Sequence, residues 1–575
     1  MKKIILALVL LISFSAFAQS KELNQLDEQK NKVLETIVSE LKASDVKLAN
    51  QITTVDNQYT DLFIDLMKED QLNKALIEQL TKSLEALGVR VSELEKEPVI
   101  VVPEPPIVVT PPTDGKLTAF PKAIGAAAYA TGGRGGAVLH VTTLDWNDNK
   151  GSLKWAMKQT YPRTVVFDVS GEIDASAESQ WDYFMSGTKY NDLTIAGQTA
   201  PEGGITLKTS VLFIHNIDNV IIRYVRFRRS QSNWFKSSPL WLRGCSNVVL
   251  DHITTSHGGD KAFDLSSSDG VSGNITIQNS FFQNSGNGII LGTDTREEKE
   301  PLSDAGNFTI ANNVYMNISH RTPNPQGNGQ YDIINNVVYN WKERLIRITQ
   351  EGTYNIINNY YKPAKDGLKR NGWYKDAAIG ANRLQKLQAQ TYHNPLIYTT
   401  GNIIVGQRDV PQTDDSDMWV YFAGSGSSFT ENQPVASKYF TDKPFDLVGK
   451  AFEIQTATQA YNTILNDVGA NKTLNADGSI THYQDTSDEN GINTIQNDAF
   501  VARSDIATAG TFYPEISDIP FPVIPNNTRP ASFYISNAHI PEAWFVVHVP
   551  TGQDHTDISP NGKPWLDVYL DEIDQ

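Results

Sequence analysis

A short β-branched segment returns at nearly regular intervals through the middle of this chain, and that repeat limits the possible folds more than any other feature. Aligned on one isoleucine or leucine, the segments are spaced by 27, 28, 27, 33, 23 and 23 residues. These marker residues are Ile195, Ile222, Leu250, Ile277, Ile310, Ile333 and Ile356. One strong strand in every repeat of this length is typical of a solenoid, in which successive coils stack. Helix-pair solenoids are excluded because valine, isoleucine, threonine and asparagine dominate, without helical periodicity.

Asparagines at a constant offset from the markers indicate which solenoid this is. The pairs Asn312-Asn313, Asn335-Asn336 and Asn358-Asn359 follow their markers by two and three residues. Asparagine tolerates the left-handed backbone of a tight corner, and its amide can bond to the same amide in the next coil. We therefore expect an all-β fold, a right-handed parallel β-helix, over residues 116–575, with a helical and loop tail from about residue 440.

Three segments of different composition precede the repeats. Residues 1–18 have the charged start, apolar run and small-residue cleavage site of a secretory signal peptide. Residues 19–97 carry apolar residues at a spacing of three to four in a polar, proline-free stretch. This pattern predicts an α-helical coiled-coil stalk that could form a homo-oligomer, with an antiparallel helical hairpin as the alternative. Residues 98–115 are proline-rich and predict a semi-rigid linker.

Charge and cysteine content limit which partners the protein can bind and where in or outside the cell it is expected. The formal net charge of −17 argues against general nucleic-acid binding, which needs a basic surface. The single Cys245 cannot form an internal disulfide, so stability has to come from a large core or stacked coils. No stretch after the signal peptide reaches membrane length. We expect a secreted protein, periplasmic, extracellular or at the cell surface, without a membrane span.

Six short motifs occur in order along the repeat region and its tail. They are YATGGRGG at 129–136, TVVFDVSG at 164–171, TIAGQTAP at 194–201, LDH at 250–252, NNVVYNW at 335–341 and IPEAW at 540–544. In this order they resemble the pectate lyases of polysaccharide lyase family 1, in the form common in Bacteroidetes. Each motif is short, and their order and spacing are more specific for fold and superfamily than for substrate.

The resemblance implies a polysaccharide lyase that cleaves an acidic, uronate-containing and pectate-like polysaccharide by β-elimination. In such a reaction a base removes the proton α to the uronate carboxylate, whose charge is neutralised by Ca²⁺ or by arginine and lysine. The family's base is an arginine in the motif Arg-x-Pro-x-x-Arg. Arg321 begins the matching Arg-Thr-Pro and inherits the role, while Gln326 stands at the second arginine. His257 is a second candidate, with a side chain that titrates nearer neutral pH.

The resemblance also implies a Ca²⁺ site. Asp260 matches one of the family's calcium-binding aspartates, and Asp264 is a further carboxylate nearby. The other calcium aspartates align with Ser238 and near Ser256 or His257, and the family's substrate-binding lysine aligns near Asn287. Because Ca²⁺ prefers six to eight oxygen ligands, mostly anionic in tight sites, Asp260 and Asp264 would bind the ion weakly.

Cationic side chains are expected to bind the acidic polysaccharide in place of the missing ligands. Arg226 and Arg228 lie two apart on one strand and so share a face. Arg243 follows in the next coil, and Lys261 comes directly after Asp260. Arginine binds carboxylates through two parallel hydrogen bonds, and Gln326 is included with this substrate-binding group. A solvated basic strand without a ligand is the alternative interpretation.

Two other functions remain open from the sequence. The substitutions at the calcium, lysine and arginine positions would suit a non-catalytic glycan-binding β-helix. The stalk would suit a surface or virion depolymerase, for which the signal peptide argues less well.

Overall fold

The computed structural model describes residues 116–178, 182–209, 211–229, 238–267, 273–293, 306–318, 320–326, 328–341, 345–348, 351–364, 385–388, 394–422, 433–498, 521–534 and 539–575. All of them belong to one compact unit, Glu104–Gln575. The predicted signal peptide, coiled-coil stalk and proline-rich linker, residues 1–115, lie outside the described residues. No helix within the described ranges is both long and apolar enough to cross a bilayer.

Three parallel sheets make up the body of this unit, and successive coils of the chain add strands to them in turn. Strands are numbered along the chain. The first sheet contains β1 (Ala137–Val141), β2 (Arg163–Phe167), β5 (Leu193–Ala196), β8 (Asp218–Arg223), β11 (Ser246–Asp251), β14 (Gly273–Gln278), β17 (Phe308–Ala311), β20 (Gln330–Ile334), β23 (Thr353–Ile357) and β26 (Leu396–Thr400). The second sheet contains β3 (Gly171–Ala175), β6 (Ile205–Thr209), β9 (Val225–Arg229), β12 (Thr254–Ser256), β15 (Phe281–Ser285), β18 (Val314–Ile318), β21 (Val337–Tyr339), β24 (Tyr360–Lys362) and β27 (Ile403–Ile404). The third sheet contains β4 (Met185–Ser186), β7 (Leu212–His215), β10 (Leu240–Arg243), β13 (Lys261–Ser267), β16 (Asn287–Thr293) and β19 (Asn324–Gln326).

Smaller elements complete the described structure. A three-stranded parallel sheet is formed by β22 (Ile346–Ile348), β25 (Gln385–Gln388) and β28 (Trp419–Phe422), and an antiparallel pair by β29 (Lys472–Leu474) and β30 (Ile480–His482). The helices are α1 (Leu153–Met157), α2 (Ala457–Ile464), α3 (Thr486–Gln496), α4 (Glu542–His548) and α5 (Trp565–Asp571). Short 3₁₀ turns occur at Thr188–Tyr190, Gly197–Thr199, Ser416–Met418, Ser437–Tyr439, Ala531–Tyr534 and Glu572–Asp574.

The seven marker residues of the repeat form one continuous ladder through the first sheet. Ile195 pairs with Ile222, Ile222 with Leu250, and each later marker with the next as far as Ile356, which pairs with Thr399. The ladder points into the coils and belongs to the main apolar core. In-register parallel pairing places like residues of successive coils on one another. The predicted fold, a right-handed parallel β-helix, is confirmed.

The asparagines occupy the corner between the first and second sheets, as the repeat predicts. Asn312, Asn335 and Asn358 have φ values of 58°, 55° and 52°, in the left-handed region. The following asparagines form a buried amide ladder, in which Nδ2 of Asn336 donates to Oδ1 of Asn359 at 3.0 Å and that of Asn359 donates to Asn402 at 3.0 Å. Each amide thus satisfies backbone groups of the preceding coil and donates to a side-chain oxygen of the next coil.

The chain after the last coils folds back along the outside of the β-helix. Helices α2 and α3 pack on the outward face of the second sheet, and α4 and α5 pack near the first coils. The outward side chains of the second sheet therefore contact this tail instead of water. Two of the predicted site residues are among the side chains that the tail covers.

Candidate functional site

The candidate site lies at the start of the strands of the third sheet, where Ser238, Lys261 and Asn287 share one register and Arg321 lies next to it, beside Gly288. Trp241 pairs with Asp264, and Ile290 pairs with both Asp264 and Asn324. The residues three positions before these four are Ser238, Lys261, Asn287 and Arg321. Because parallel strands stack about 4.8 Å apart, consecutive coils bring these four residues to one edge of the sheet.

Asp260 and Asp264 flank the ammonium group of Lys261. Nζ of Lys261 contacts the carboxylate of Asp260 and lies 3.3 Å from Oδ2 of Asp264. Asp264 is fully buried and Lys261 is 9% exposed. The amide of Asn287 donates to Oδ1 of Asp260 at 2.9 Å, so the next coil holds this carboxylate in place. The result is a buried cation bonded to two carboxylates.

The charge state of Lys261 follows from these neighbours. Burial by itself lowers the pKa of a lysine, but Asp264 and Asp260 outweigh it, and the pKa of Lys261 is raised. The positive charge of Arg321 acts in the opposite direction on the same ammonium group. Lys261 is therefore a permanent cation at neutral pH, and Arg321 is close enough to interact with it electrostatically.

Arg321 lies on the segment that leads into β19. Its backbone φ is 68°, and its carbonyl accepts a hydrogen bond from the N–H of Ile289 in the preceding coil, at 2.8 Å. The side chain is partly exposed, and no described residue lies within hydrogen-bond or ion-pair distance of its guanidinium. A guanidinium without a side-chain partner in the described part of the chain, next to a second cation, is suited to an anionic ligand.

Arg243 forms the neighbouring part of the surface, together with aromatic rings. Its guanidinium carbon lies 4.2 Å from the ring centroid of Trp241 and 5.2 Å from that of Phe213, in cation–π contact with both. Its NH2 group lies 3.3 Å from Oδ2 of Asp264, and 28% of the side chain is exposed. Tyr183, 45% exposed, stacks beside Phe213. Such a combination of rings and a cation can hold the face of a sugar and its carboxylate.

The structure corrects the expected role of Arg226 and Arg228. Both are on β9 and share a face, as predicted, but they are 1% and 0% exposed. NH2 of Arg228 lies 2.6 Å from Asp485 and 2.8 Å from Asp488, and Nε of Arg226 lies 3.2 Å from Asp485. Their outward face is covered by the start of α3, so they bind the tail of the same chain instead of a polysaccharide.

His257 is also placed in the interior. It is fully buried, its Nδ1 lies 2.6 Å from the hydroxyl of Ser256, and its ring stacks on Phe521 at 4.5 Å. A general base has to reach the substrate proton, so this arrangement argues against His257 as the base. Gln326 pairs through its backbone with Gly292, at the far end of β19 from Arg321.

Sequence reasoning missed the partners of the two buried arginines. Asp485 is the N-cap of α3, where its carboxylate accepts from the N–H groups of Ser487 and Asp488 at 3.0 Å. The spacing of an aspartate before a helix is a usable signal for the cap. It carries no information about Arg228, which lies 257 positions earlier.

The described residues do not fit a Ca²⁺ ion. Within the part of the chain that the structure describes, no three carboxylate, histidine or cysteine side chains converge on one point. Ser238 is buried at the position of one family aspartate, and Lys261 bonds to the two carboxylates that remain. Calcium sites depend on several anionic oxygens, and here the anionic oxygens are already neutralised.

The sequence was compared with known proteins. Residues 112–372 match the family described as pectate lyase. The probable pectate lyase C of Emericella nidulans is 36% identical over 211 residues, which cover 37% of this chain and 45% of the fungal protein. That of Aspergillus terreus is 34% identical over 211 residues, covering 37% and 46%. The chain thus spans about half the length of the curated relatives it matches.

Solved structures of low sequence identity also align with the chain. The pectate lyase Bsp165PelA from Bacillus sp. N165, in complex with trigalacturonate, has a TM-score of 0.36 and 17% identity, over 60% of this chain and 98% of that one. The cedar pollen allergen Jun a 1 has a TM-score of 0.42 and 16% identity, over 60% and 92%. By sequence, residues 112–372 of this chain are therefore similar to the pectate lyase family.

Proposed function

We propose that this chain is a polysaccharide lyase that cleaves an acidic, uronate-containing polymer, pectate-like in its chemistry, by β-elimination. The observation that carries the proposal is the guanidinium of Arg321. It begins the Arg-Thr-Pro motif, has no described ion-pair partner, and lies at the sheet edge that also holds Lys261 and Asn287. The order of the sequence motifs fits the form of the family common in Bacteroidetes.

The proposed chemistry assigns each cation a separate task. Arg321 takes up the proton α to the uronate carboxylate, and the electron pair of that C–H bond forms a carbon–carbon double bond as the bond to the glycosidic oxygen breaks. The departing oxygen takes a proton from water, which leaves an unsaturated sugar. Lys261 and Arg243 stabilise the negative charge that builds up on the carboxylate as the proton leaves. Trp241 and Phe213 hold the plane of the Arg243 guanidinium, since both rings contact it.

The test is an assay of lyase activity on a panel of acidic polysaccharides, in which the unsaturated product is detected by its ultraviolet absorbance. We expect activity on a polygalacturonate-like polymer and none on a neutral glucan. Binding of the acidic polymers without any unsaturated product would support a glycan-binding β-helix instead, for which the ring of Tyr183 on the protein surface is the favourable observation.

The N-terminal segments are proposed to direct export and oligomerisation. Export by a signal peptide at residues 1–18 would deliver the enzyme to a periplasmic, extracellular or surface location, and residues 19–97 would act as an oligomerising stalk. N-terminal sequencing of the exported protein and light scattering of the purified chain test the two parts. A mature N-terminus at Met1 would contradict export with cleavage, and a monomeric mass would contradict the stalk.

A further inference from the structure

The cluster of Asp260, Lys261 and Asp264 at the start of β13 contains its own cation, Lys261, and is therefore poorly suited to bind a divalent metal ion. The carboxylates of Asp260 and Asp264 are both bonded to Lys261, and Arg243 reaches Asp264 from the preceding coil. The charges of two carboxylates are thus balanced by one ammonium and one guanidinium. A divalent cation entering this cluster would meet two positive groups and no surplus of negative charge.

Neutral oxygens at the same edge do not change this balance. The hydroxyl of Ser238 and Oδ1 of Asn287 are buried without a hydrogen-bond partner in the described structure. Unsatisfied buried acceptors are costly, and a bound hydroxyl or ammonium donor would satisfy them. They suit the hydroxyl groups of a sugar, whereas a Ca²⁺ ion would need to displace Lys261 before using them.

Lys261 also retains one donor for a ligand. An ammonium group has three N–H donors, and within the described residues Lys261 has two acceptor side chains, Asp260 and Asp264. This remaining donor and the guanidinium of Arg321, which has no ion-pair partner among the described residues, can bind one carboxylate together at this edge.

We propose that Lys261 replaces Ca²⁺ in this protein, so that a built-in ammonium group supported by Asp260 and Asp264 binds the uronate carboxylate. The part of this inference that concerns substrate rests on the proposed lyase function. The part that concerns the metal does not, because it depends only on the bonding of Lys261 to the two carboxylates.

The first test measures metal binding without activity. The full-length protein is stripped of metals with EDTA and titrated with CaCl₂, while thermal unfolding and calorimetric binding are recorded. We expect no change in Tm for the wild type. In Lys261→Ala the two carboxylates are released, and Ca²⁺ binding at least about tenfold tighter than in the wild type should appear as a rise in Tm. A wild-type Tm that rises with CaCl₂, or a variant without any response, would overturn the replacement.

Two further variants keep the test interpretable. Lys208→Ala removes a lysine that also lies between two carboxylates, 3.4 Å from Glu172 and 3.4 Å from Asp174. Because these carboxylates are 31% and 52% exposed, whereas Asp260 and Asp264 are 17% and 0% exposed, water screens them and the variant should gain no comparable Ca²⁺ response. If Lys261→Ala does not fold, Lys261→Gln combined with Asp264→Asn lowers the charge left unpaired in the cluster. The wild-type titration then carries the metal test, and the double variant should bind trigalacturonate at least about tenfold more weakly than the wild type; unchanged binding would overturn the role of Lys261.

The activity assay separates this inference from the proposed function. We expect product formation by the wild type to be the same with EDTA and with CaCl₂. Loss of activity in EDTA would overturn the inference and leave the lyase function standing. Absence of activity on every polymer, together with a Ca²⁺ response confined to Lys261→Ala, would overturn the lyase function and leave the replacement of the metal standing.

Discussion

The guanidinium of Arg228 lies 2.6 Å from the carboxylate of Asp485 and joins two positions that are 257 residues apart. Asp488, one turn further into α3, lies 2.8 Å from the same NH2 group. Asp488 also accepts from Thr254 on β12 and Gln283 on β15, the two strands that follow β9 in the second sheet. The start of α3 is therefore bonded to three successive coils, and the tail is an integral part of the β-helix.

Arg228→Ala should strongly destabilise the protein. The substitution leaves two buried carboxylates with one arginine between them, and breaking a buried ion pair from one side costs about 3–5 kcal/mol. Urea unfolding measures the change. In a double-mutant cycle with Asp485→Asn, the paired variant should lose less than the sum of the single variants. Additive losses, or a change in substrate affinity without a change in stability, would contradict the placement of Arg228 under the tail.

The β-helix could be predicted from sequence because its ladders repeat the same residue type. The markers pair with one another in successive strands, so their spacing along the chain gives the register of the first sheet. The asparagine pairs identify the corner. The corner is less uniform than the asparagines suggest, since Tyr224 and His252 occupy it with φ values of 55° and 50°. Their rings stack at 4.6 Å, so packing between coils stabilises a backbone conformation that these residues rarely adopt.

The candidate site could be predicted only in part, for a physical reason. Period-two alternation tells which side chains of a strand point outward, and Arg226, Arg228 and Arg243 all do. Whether an outward side chain meets water or another segment depends on where the tail folds back. No local pattern near β9 contains that information, whereas the side chain of Arg243 on the third sheet stays 28% exposed.

Asn336→Ala should cost stability through the buried amide ladder. Nδ2 of Asn336 donates to the carbonyl of Ile310 at 2.8 Å, and its Oδ1 accepts from the backbone N–H of Asn313 at 3.1 Å. Removing the side chain leaves these backbone groups buried without partners, at a cost of about 1–3 kcal/mol. Chemical denaturation measures the loss. Asn490→Ala, at an exposed position of α3, is the matched control and should change stability by less than about 0.5 kcal/mol.

Arg321→Ala should remove activity and leave the fold intact. Its side chain is partly exposed and has no described ion-pair partner, so the free energy of unfolding should change by less than about 0.5 kcal/mol. Loss of a group that handles the proton should lower kcat by about 10²- to 10⁴-fold. Initial rates and thermal unfolding are compared with those of Lys438→Ala, a surface control. Full activity in Arg321→Ala would remove its assignment as the base.

Arg243→Lys should weaken substrate binding more than it slows the chemical step. The flat guanidinium contacts two rings and a carboxylate at once, and the ammonium group of lysine cannot reproduce this geometry. We expect KM to rise by about tenfold, which corresponds to about 1.4 kcal/mol, with kcat changed less. An unchanged KM would mean that this surface does not contact the polymer.

His539 should make stability depend on pH below neutrality. Its Nδ1 lies 3.0 Å from Nε2 of His140, which is paired on its other side with Asp168, and the ring of His555 lies 4.4 Å away. Burial and the nearby His555 and His140 lower the pKa of His539 to about 4, below the ordinary value of 6.5. Because the folded-state pKa is depressed, this residue favours folding above pH 6.5, and that contribution is lost as the pH falls toward 4.

The measurement is Tm as a function of pH for the wild type and for His539→Gln, which cannot take up the proton. The wild type should lose more stability than the variant between pH 6.5 and 4, the interval between the ordinary and the folded pKa. The comparison is needed because His252, whose pKa is raised by Asp251 against the effect of burial, stabilises the fold in the opposite direction as pH falls. The difference in Tm between the two proteins should therefore change between pH 6.5 and 4, and parallel curves would show that His539 does not contribute to the pH dependence.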